Sequence, residues 1–222
     1  VTSYYKSDWG FCITENQKKK LKKGIYKAII KSKHFKGSLT YGELLIKGKS
    51  KKEVLLSTYI CHPSMANNEV SGPSVLTYLA DWIKKLKNRK FSYRIIFVPE
   101  TIGSIVYLNK NLEILKKNII AGFVMSCIGD KKDYSYVSSR DGRSWLQRGS
   151  DERQYCAPGV DLPICSINRT KPGYYPEYHT SLDKMGTVVT QKGLAQSFYF
   201  FQDCVRIIEA SQFPKVKVLC EP

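Results

Sequence analysis

Apolar and polar positions alternate along this chain in blocks whose lengths indicate strands and helices in turn. Short, nearly continuous apolar runs recur between longer segments that carry apolar residues at helical spacing. The predicted strands are 25–35, 43–46, 54–60, 93–98, 119–127 and 162–167, and the predicted helices are 73–86, 104–115, 151–156 and 190–211. Continuous apolar strands that alternate with helices are typical of parallel sheets covered on both faces. The pattern therefore predicts an α/β fold, a three-layer α/β/α sandwich around a mainly parallel mixed sheet.

The pattern changes near residues 48–52. Before this point the two strand predictions are short and are joined by the turn signal Lys36-Gly37-Ser38, whereas longer alternating units follow it. We therefore expect a small β subdomain at 1–48, appended to a larger α/β domain at 49–222.

The composition fits one full-sized α/β domain with a small appendage. The chain has 222 residues, of which 42% are hydrophobic. It has no run of the ~18 apolar residues that a membrane span needs, so no membrane partner is expected. Seven scattered cysteines form no CxxC pair, which favours reduced thiols and a cytoplasmic location.

The positive charge is concentrated near the start of the chain. The net charge is +17, and residues 15–52 alone hold 13 lysines against the two acids Glu15 and Glu43. Such a stretch is either a solvated lysine-rich surface or a face that binds a polyanion. Because it lacks arginine and an interleaving of aromatic with basic residues, nucleic acid is not an expected partner.

Chemically active side chains follow the predicted strands. His62 and Asn68 come after the strand 54–60, Glu100 after 93–98 and Asp130 after 119–127, and His179 follows the last strand. The carboxyl ends of parallel strands meet at one edge of a sheet, so these clusters are expected to form one pocket. Imidazole and carboxylate groups are the donors that zinc prefers, and an open position allows the ion to activate water.

The ordered set of motifs resembles the aminopeptidase-like zinc hydrolases, which include bacterial leucyl aminopeptidases and, more distantly, glutaminyl cyclases. The motifs that carry the resemblance are Thr2-Ser3-Tyr4-Tyr5, Trp9-Gly10-Phe11-Cys12, Gly37-Ser38-Leu39-Thr40-Tyr41-Gly42-Glu43, Ile60-Cys61-His62-Pro63-Ser64, Pro99-Glu100-Thr101-Ile102-Gly103-Ser104, Gly149-Ser150-Asp151-Glu152-Arg153-Gln154-Tyr155 and Tyr178-His179-Thr180-Ser181. They are most similar to a bacterial branch named for polysaccharide biosynthesis, with an aminopeptidase-like domain and a winged-helix tail. The resemblance implies that residues 1–48 are part of an inserted β domain. It also implies a longer parent chain with a leading segment and a winged helix as further partners.

The resemblance assigns roles to individual residues. His62 corresponds to the first-metal ligand, Asp130 to its carboxylate partner and His179 to the second-metal histidine. Asn68 stands where the family has a bridging Asp, and Glu100 matches the general base. Asp151 falls in the segment that shapes the substrate pocket in the family. Nearby, Arg153, Tyr155 and Tyr178 either orient a substrate or are helix-surface or packing residues.

Two departures from the family pattern weaken the second metal position. Asn68 is neutral where a bridging carboxylate is expected, and Thr101 replaces a Glu ligand. One zinc is therefore expected rather than two. Three arrangements stay open: one zinc held by His62, Asp130 and His179, a rearranged site that recruits Glu69 or Glu100, or no tightly bound metal.

The resemblance implies a zinc-dependent hydrolase that cleaves an amide bond in a peptide or amino-sugar-type substrate through metal-activated water. The alternative is a catalytically impaired binding or scaffold module in surface-polysaccharide biosynthesis.

Overall fold

In a computed structural model, the residues described are 7, 9–10, 12–62, 64–137 and 150–211. The chain divides into two compact units, Val1–Gly37 and Ser38–Pro222.

The first unit contains the helix α1 (Glu15–Lys20). A capping box begins this helix, because the Thr14 hydroxyl accepts the backbone N–H of Gln17 at 3.1 Å and the Gln17 side chain accepts the N–H of Thr14 at 2.8 Å. The strand predicted at 25–35 is wrong, since the structure has no strand in these residues. Their apolar side chains, such as Ile25 and Phe35, are exposed. A strand forms only where another strand pairs with it, and no described strand does so here.

The described residues of the second unit form a six-stranded mixed sheet. Its strands are β1 (Gly42–Ile46), β2 (Glu53–Tyr59), β3 (Ser92–Val98), β4 (Ile119–Met125), β5 (Ser135–Val137) and β6 (Ile164–Asn168). The spatial order is β1-β3-β2-β4-β6-β5, with β2, β3, β4 and β6 parallel and the two edge strands antiparallel. The predicted mainly parallel α/β sheet is confirmed.

Strand β1 belongs to this sheet rather than to a separate subdomain. It pairs antiparallel with β3, from Gly42 opposite Phe97 to Ile46 opposite Tyr93. The division between the two compact units falls after Gly37, and the domain boundary near residue 48 stays a prediction. The assignment of the preceding residues to a β subdomain stays a prediction.

Helices cover both faces of the sheet. They are α2 (Ser71–Lys85), α3 (Ile102–Asn118), the short α4 (Glu152–Tyr155) and α5 (Gln191–Ala210). One core cluster joins α2 and α5 to one face, and a second joins α3 and α4 to the other. Leu56 of β2 packs in the first cluster and its neighbour Leu55 in the second. Successive side chains of a strand point to opposite faces of the sheet, so the two residues reach different clusters.

A buried arginine on β3 links the edge strand β1 to the rest of the sheet. Arg94 on β3 is 5% exposed, and its Nε and Nη2 donate to the Glu53 carboxylate of β2 at 2.6 and 3.2 Å. Its Nη1 pairs with Glu43 of β1. One guanidinium thus links three adjacent strands by paired, charge-assisted hydrogen bonds.

The strand order creates a crevice at one end of the sheet. The chain leaves β2 for β3 on one side and then returns across β2 to β4 on the other side. Connections that leave in opposite directions open a ligand-binding crevice at the carboxyl ends of the strands. No helix among the described residues is long and apolar enough to cross a membrane.

Candidate active site

The connection from β2 to α2 brings three potential metal ligands together. The ligand atoms of Cys61, His62 and Glu69 all lie within 4.8 Å of one another. Glu69 lies on a π-helical turn, Ala66–Val70, that precedes α2. The buried Glu69 carboxylate accepts the backbone N–H of Cys61 at 2.9 Å and the Cys61 thiol at 3.3 Å. Of these three residues, the sequence assigned a primary ligand role only to His62 and proposed Glu69 as an alternative.

The second histidine approaches from a distant loop. The ring centroids of His62 and His179 are 5.0 Å apart, and the Tyr178 ring stacks on His179 at 4.0 Å. Burial and the neighbouring His62 lower the pKa of His179, which favours the neutral imidazole that binds metal ions. The backbone of His179 has a φ of +56°, a conformation unfavourable for residues other than glycine.

Asp183 holds this loop against the π-helical turn. Its two carboxylate oxygens accept the backbone N–H groups of Asn67 at 2.7 Å and Asn68 at 3.0 Å, and the second oxygen also accepts the Tyr175 hydroxyl at 3.0 Å. The Asp183 carbonyl accepts the N–H of Ala66 at 2.9 Å. Asp183 is fully buried. It therefore joins the segment that carries His179 to the segment that carries Asn68 and Glu69, a role that the sequence did not reveal.

The side-chain oxygen of Asn68, near the carboxyl ends of the strands, lacks a hydrogen-bond partner among the described residues. Its amide nitrogen donates to the Tyr59 hydroxyl at 2.9 Å and lies 3.9 Å from the Cys127 sulfur. Its Oδ1 is buried and has no hydrogen-bond partner among the described residues. A buried polar atom without a partner is unusual in folded proteins. An amide oxygen in this state is a candidate cation ligand, although it brings no negative charge.

Asp130 lies in a different arrangement from the predicted one. Its carboxylate accepts the side-chain amide of Asn67 at 3.2 Å and the backbone N–H groups of Lys132 at 2.8 Å and Thr170 at 3.0 Å. Both oxygens are therefore engaged in holding the turn after β4. The role of Asp130 as a metal ligand beside His62 stays a prediction.

Glu100 faces the metal-ligand cluster from the end of β3. Burial and the neighbouring Glu69 raise the pKa of Glu100, while the charges of Arg153 and His62 act in the opposite direction. Charges shift the pKa of a neighbouring group in this way only at short distances, so Glu69, Arg153 and His62 lie near Glu100. A carboxylate with a raised pKa accepts protons more readily, as a general base must.

Asp151 supports the turn that carries Glu100. Its Oδ1 accepts the backbone N–H of Thr101 at 2.7 Å and the Ser104 hydroxyl at 3.0 Å. Thr101 has a φ of +61°, so these bonds stabilise an unfavourable backbone conformation. Asp151 is fully buried, and desolvation raises the pKa of Asp151 to about 7. Its contacts indicate a positioning role rather than the predicted contact with substrate.

The other predicted substrate residues separate into two groups. Arg153 is partly exposed and acts electrostatically on Glu100, and Tyr178 lies against His179, so both border the site. Tyr155 is fully buried in the second core cluster, with its hydroxyl 3.0 Å from that of Ser57. Tyr155 therefore packs in the core, and a role in orienting a substrate stays a prediction.

The donor set fits one zinc ion better than two. Cys61, His62 and Glu69 cluster closely, and the His179 ring and the unpartnered Asn68 oxygen lie at the same edge. Thiol, imidazole and carboxylate groups are all common zinc ligands. Asn68 and Thr101 carry no charge at the positions where the family pattern has carboxylates, so a second ion would lack the anionic ligands that it needs.

Comparison with protein families and solved structures identifies relatives of this chain. Residues 25–148 and 141–211 match the family model of the domain of unknown function DUF4910, and residues 1–33 match that of DUF2172. A Clostridium acetobutylicum protein named for polysaccharide biosynthesis and an aminopeptidase-like domain is 38% identical over 244 residues, which cover 100% of this chain and 55% of that protein. The chain thus spans about half the length of this curated relative.

Solved structures share the fold. A crystal structure of a candidate peptidase from Clostridium acetobutylicum is 38% identical, with a TM-score of 0.81 over 100% of this chain and 57% of that one. The zinc aminopeptidase of Bacillus subtilis matches with a TM-score of 0.62 at 18% identity, over 79% of this chain and 51% of that one. Glutaminyl cyclase from Porphyromonas gingivalis matches with a TM-score of 0.59 at 14% identity, over 74% of this chain and 75% of that one. The chain therefore belongs to the DUF4910 family and has the α/β fold of the zinc aminopeptidases.

Proposed function

We propose that this protein is a zinc-dependent hydrolase that cleaves an amide bond in a peptide or amino-sugar-type substrate. The observation that carries the proposal is the cluster of Cys61, His62 and Glu69 within 4.8 Å, with Glu100 beside it at the carboxyl edge of the sheet. The similarity to the candidate peptidase and to the zinc aminopeptidases supports a hydrolase of the peptidase type. The cytoplasmic location expected from the cysteine content belongs to the same proposal.

In this proposal His62, Glu69 and Cys61 hold one zinc ion, with His179 or the Asn68 oxygen as a further ligand. A zinc ion held there supplies Lewis acidity and lowers the pKa of water. Glu69 would contribute the negative charge that Asn68 does not provide. This is a rearranged site, and it differs from the pairing of His62 with Asp130 that the family pattern implied.

The surrounding residues would bind, orient and move protons. Glu100 accepts a proton from the attacking water and delivers it to the leaving amine, a task that suits a partly buried carboxylate with a raised pKa. Asp151 keeps the turn of Glu100 in place through Thr101 and Ser104. Arg153 and Tyr178, at the border of the site, would orient the substrate.

The second candidate function is a binding or scaffold module in surface-polysaccharide biosynthesis. The neutral Asn68 and Thr101 at the expected ligand positions favour it, because they reduce the charge available for a metal. Burial also raises the pKa of the Cys61 thiol to about 12, so without a metal this thiol is protonated at neutral pH. The name of the Clostridium acetobutylicum relative is consistent with such a role.

Turnover of the zinc-loaded chain on a panel of aminoacyl amides, dipeptides and N-acyl amino sugars tests the proposal. We expect amide cleavage that falls by about 100-fold or more in Glu100→Gln, as for the loss of a general base. Glu113→Gln, at an exposed position on α3, is the matched control and should retain full activity. Turnover unaffected by Glu100→Gln would overturn the catalytic assignment, and a zinc-loaded chain inactive on every amide would favour the binding module.

A further inference from the structure

The end of the sheet opposite the candidate site collects basic side chains from separate parts of the sequence. Glu53 pairs with both Ser92 and Ile119, so β2, β3 and β4 begin at the same level. The β1–β2 connection (47–52) and the α2–β3 connection (86–91) therefore meet at this end.

Hydrogen bonds hold these connections together. The backbone N–H of Lys49 donates to the Arg89 carbonyl at 2.9 Å, and that of Ser50 donates to the Lys90 carbonyl at 2.8 Å. The ammonium group of Lys52 donates to the Lys117 carbonyl at the end of α3, at 3.1 Å. The basic residues of the three segments thus form one continuous surface, which we call the basic edge. Its exposed lysines are Lys47, Lys49, Lys51, Lys52, Lys84, Lys85, Lys87, Lys90, Lys116 and Lys117.

The carboxylates of this region neutralise only part of the basic edge. Glu53 is buried and paired with Arg94, and Asp81 is paired with Lys85. Glu209 accepts the backbone N–H of Lys90 at 2.6 Å and the Tyr93 hydroxyl at 2.8 Å. Most of the lysine charge is therefore left without an acidic counterpart among the described residues.

Helix stability explains only part of this charge. Lys84 and Lys85 end α2, and Lys116 and Lys117 lie in the last turn of α3, where cations interact favourably with the helix dipole. The ammonium groups of Lys52 and Lys90 donate to the carbonyls of Lys117 and Ser211 at the ends of α3 and α5, so they share this benefit. The lysines at 47, 49, 51 and 87 lie outside the helices. Four repelling charges from two connections suggest an external partner.

We propose that the basic edge binds the surface of an anionic lipid bilayer. Lysines act as point charges toward phosphate groups, and clusters of four to eight basic residues near a membrane are typical of anionic lipid binding. Loop ends and helix ends at one level present charge to a flat surface. A nucleic-acid reader instead inserts a helix or β-ribbon into a groove, or stacks bases on exposed aromatic rings. In the described part of this surface, Trp82 is covered by the Arg206 guanidinium, 5.3 Å from the ring centroid.

This contact needs no membrane-spanning helix. The expectation of no membrane partner rested on the lack of an apolar span, which an electrostatic contact does not require. With the basic edge against a bilayer, the carboxyl ends of the strands and the candidate site face away from the lipid.

Sedimentation with vesicles tests the proposal independently of any enzymatic activity. We expect the chain to pellet with phosphatidylglycerol-containing vesicles at low salt and to dissociate from them at high salt. It should not bind vesicles of pure phosphatidylcholine. Lys49→Glu, Lys51→Glu and Lys87→Glu combined should lower the partition coefficient by about 100-fold. The matched control reverses three exposed lysines elsewhere, Lys131, Lys184 and Lys192, and should bind nearly as well as the unmodified chain.

Three outcomes would overturn the proposal. They are the absence of binding to anionic vesicles, equal losses in both triple variants, and binding to duplex DNA without binding to vesicles. Millimolar inorganic phosphate that displaces the chain from vesicles would instead show that the basic edge recognises free phosphate rather than a lipid surface.

Discussion

The carboxylate of Asp183 accepts the backbone N–H of Asn68 at 3.0 Å, although 115 residues separate the two positions in sequence. This bond, together with the one from Asn67, fixes the His179 loop to the turn that carries Glu69. The spacing of His62 and His179 therefore depends on a residue that need not touch a metal or a substrate.

Replacing Asp183 by Asn should weaken metal binding in a folded protein. The Asn side chain has only one acceptor oxygen, so it can accept only one of the two backbone N–H groups, from Asn67 or Asn68, that Asp183 now accepts. Its NH2 group would lie against the other N–H, and both are donors. We expect zinc affinity to fall by about 10–100-fold, as for other residues that support metal ligands. We also expect the free energy of unfolding to fall by about 2 kcal/mol. Zinc titration and thermal unfolding of the same samples measure the two effects.

Tyr175→Phe is the control for Asp183→Asn. It removes one hydrogen bond to the same carboxylate but leaves both backbone N–H bonds in place. Zinc affinity should then be close to that of the unmodified chain. Equal zinc affinity in Asp183→Asn and the unmodified chain would contradict the positioning role.

The role of Asp183 shows what a sequence pattern cannot predict. Apolar runs depend on local composition, so the positions of β2, β3, β4, α2, α3 and α5 could be predicted from them. A buried carboxylate that bonds backbone N–H groups of a distant segment leaves no local signal. The same limit applies to the pairing of β1 with β3 and to the proximity of Cys61 to Glu69.

Asn68→Asp should increase zinc affinity while destabilising the metal-free chain. The new carboxylate would replace an unpartnered amide oxygen and supply the charge that a zinc site needs. Without metal, the same buried charge would lie near Glu69 and Asp183 and would cost free energy. The rise in melting temperature on adding zinc should therefore be larger for Asn68→Asp than for the unmodified chain. A smaller rise would place the metal away from this residue.

Asp151 should make the stability of the chain depend on pH. Its pKa is about 7 in the folded state against an ordinary value of 3.8, so between these values the folded state keeps a proton that the unfolded state releases. The stabilisation is present below pH 3.8 and is lost as the pH rises through about 7. Asp151→Asn should remove this component, which is at most about 4 kcal/mol.

Chemical denaturation at pH 5 and pH 8 measures this effect. The unmodified chain should lose more stability between the two pH values than Asp151→Asn does. Asp133→Asn, at an exposed position, is the control and should follow the unmodified chain. Identical losses of stability in all three proteins would show that the Asp151 carboxyl is already ionised at pH 5 in the folded chain.

Glu53→Gln should be among the most destabilising single changes outside the site. It would leave the guanidinium of Arg94 buried with only part of its present partners, and breaking such a pair typically costs about 3–5 kcal/mol. Asp81→Asn removes an exposed ion pair with Lys85 on α2 and should cost less than about 0.5 kcal/mol. Urea unfolding of both variants tests the contrast, and equal losses would show that the buried pair contributes little.

The failed strand prediction at 25–35 and the burial of Tyr155 share one physical cause. Both inferences used local chemistry, in the first case β-branched residues and in the second a tyrosine near a polar motif. Pairing decides whether apolar residues form a strand, and packing decides whether a tyrosine faces a pocket. The hydroxyl of Tyr155 is 3.0 Å from that of Ser57 within the core.

The zinc content of the purified chain, measured by plasma mass spectrometry, tests the central claim most directly. We predict about one zinc per chain, lost in His62→Ala and in Glu69→Gln but retained in His34→Ala, where the histidine is exposed in the first unit. No zinc after loading, or equal zinc in His62→Ala and His34→Ala, would contradict a metal-dependent hydrolase at this site.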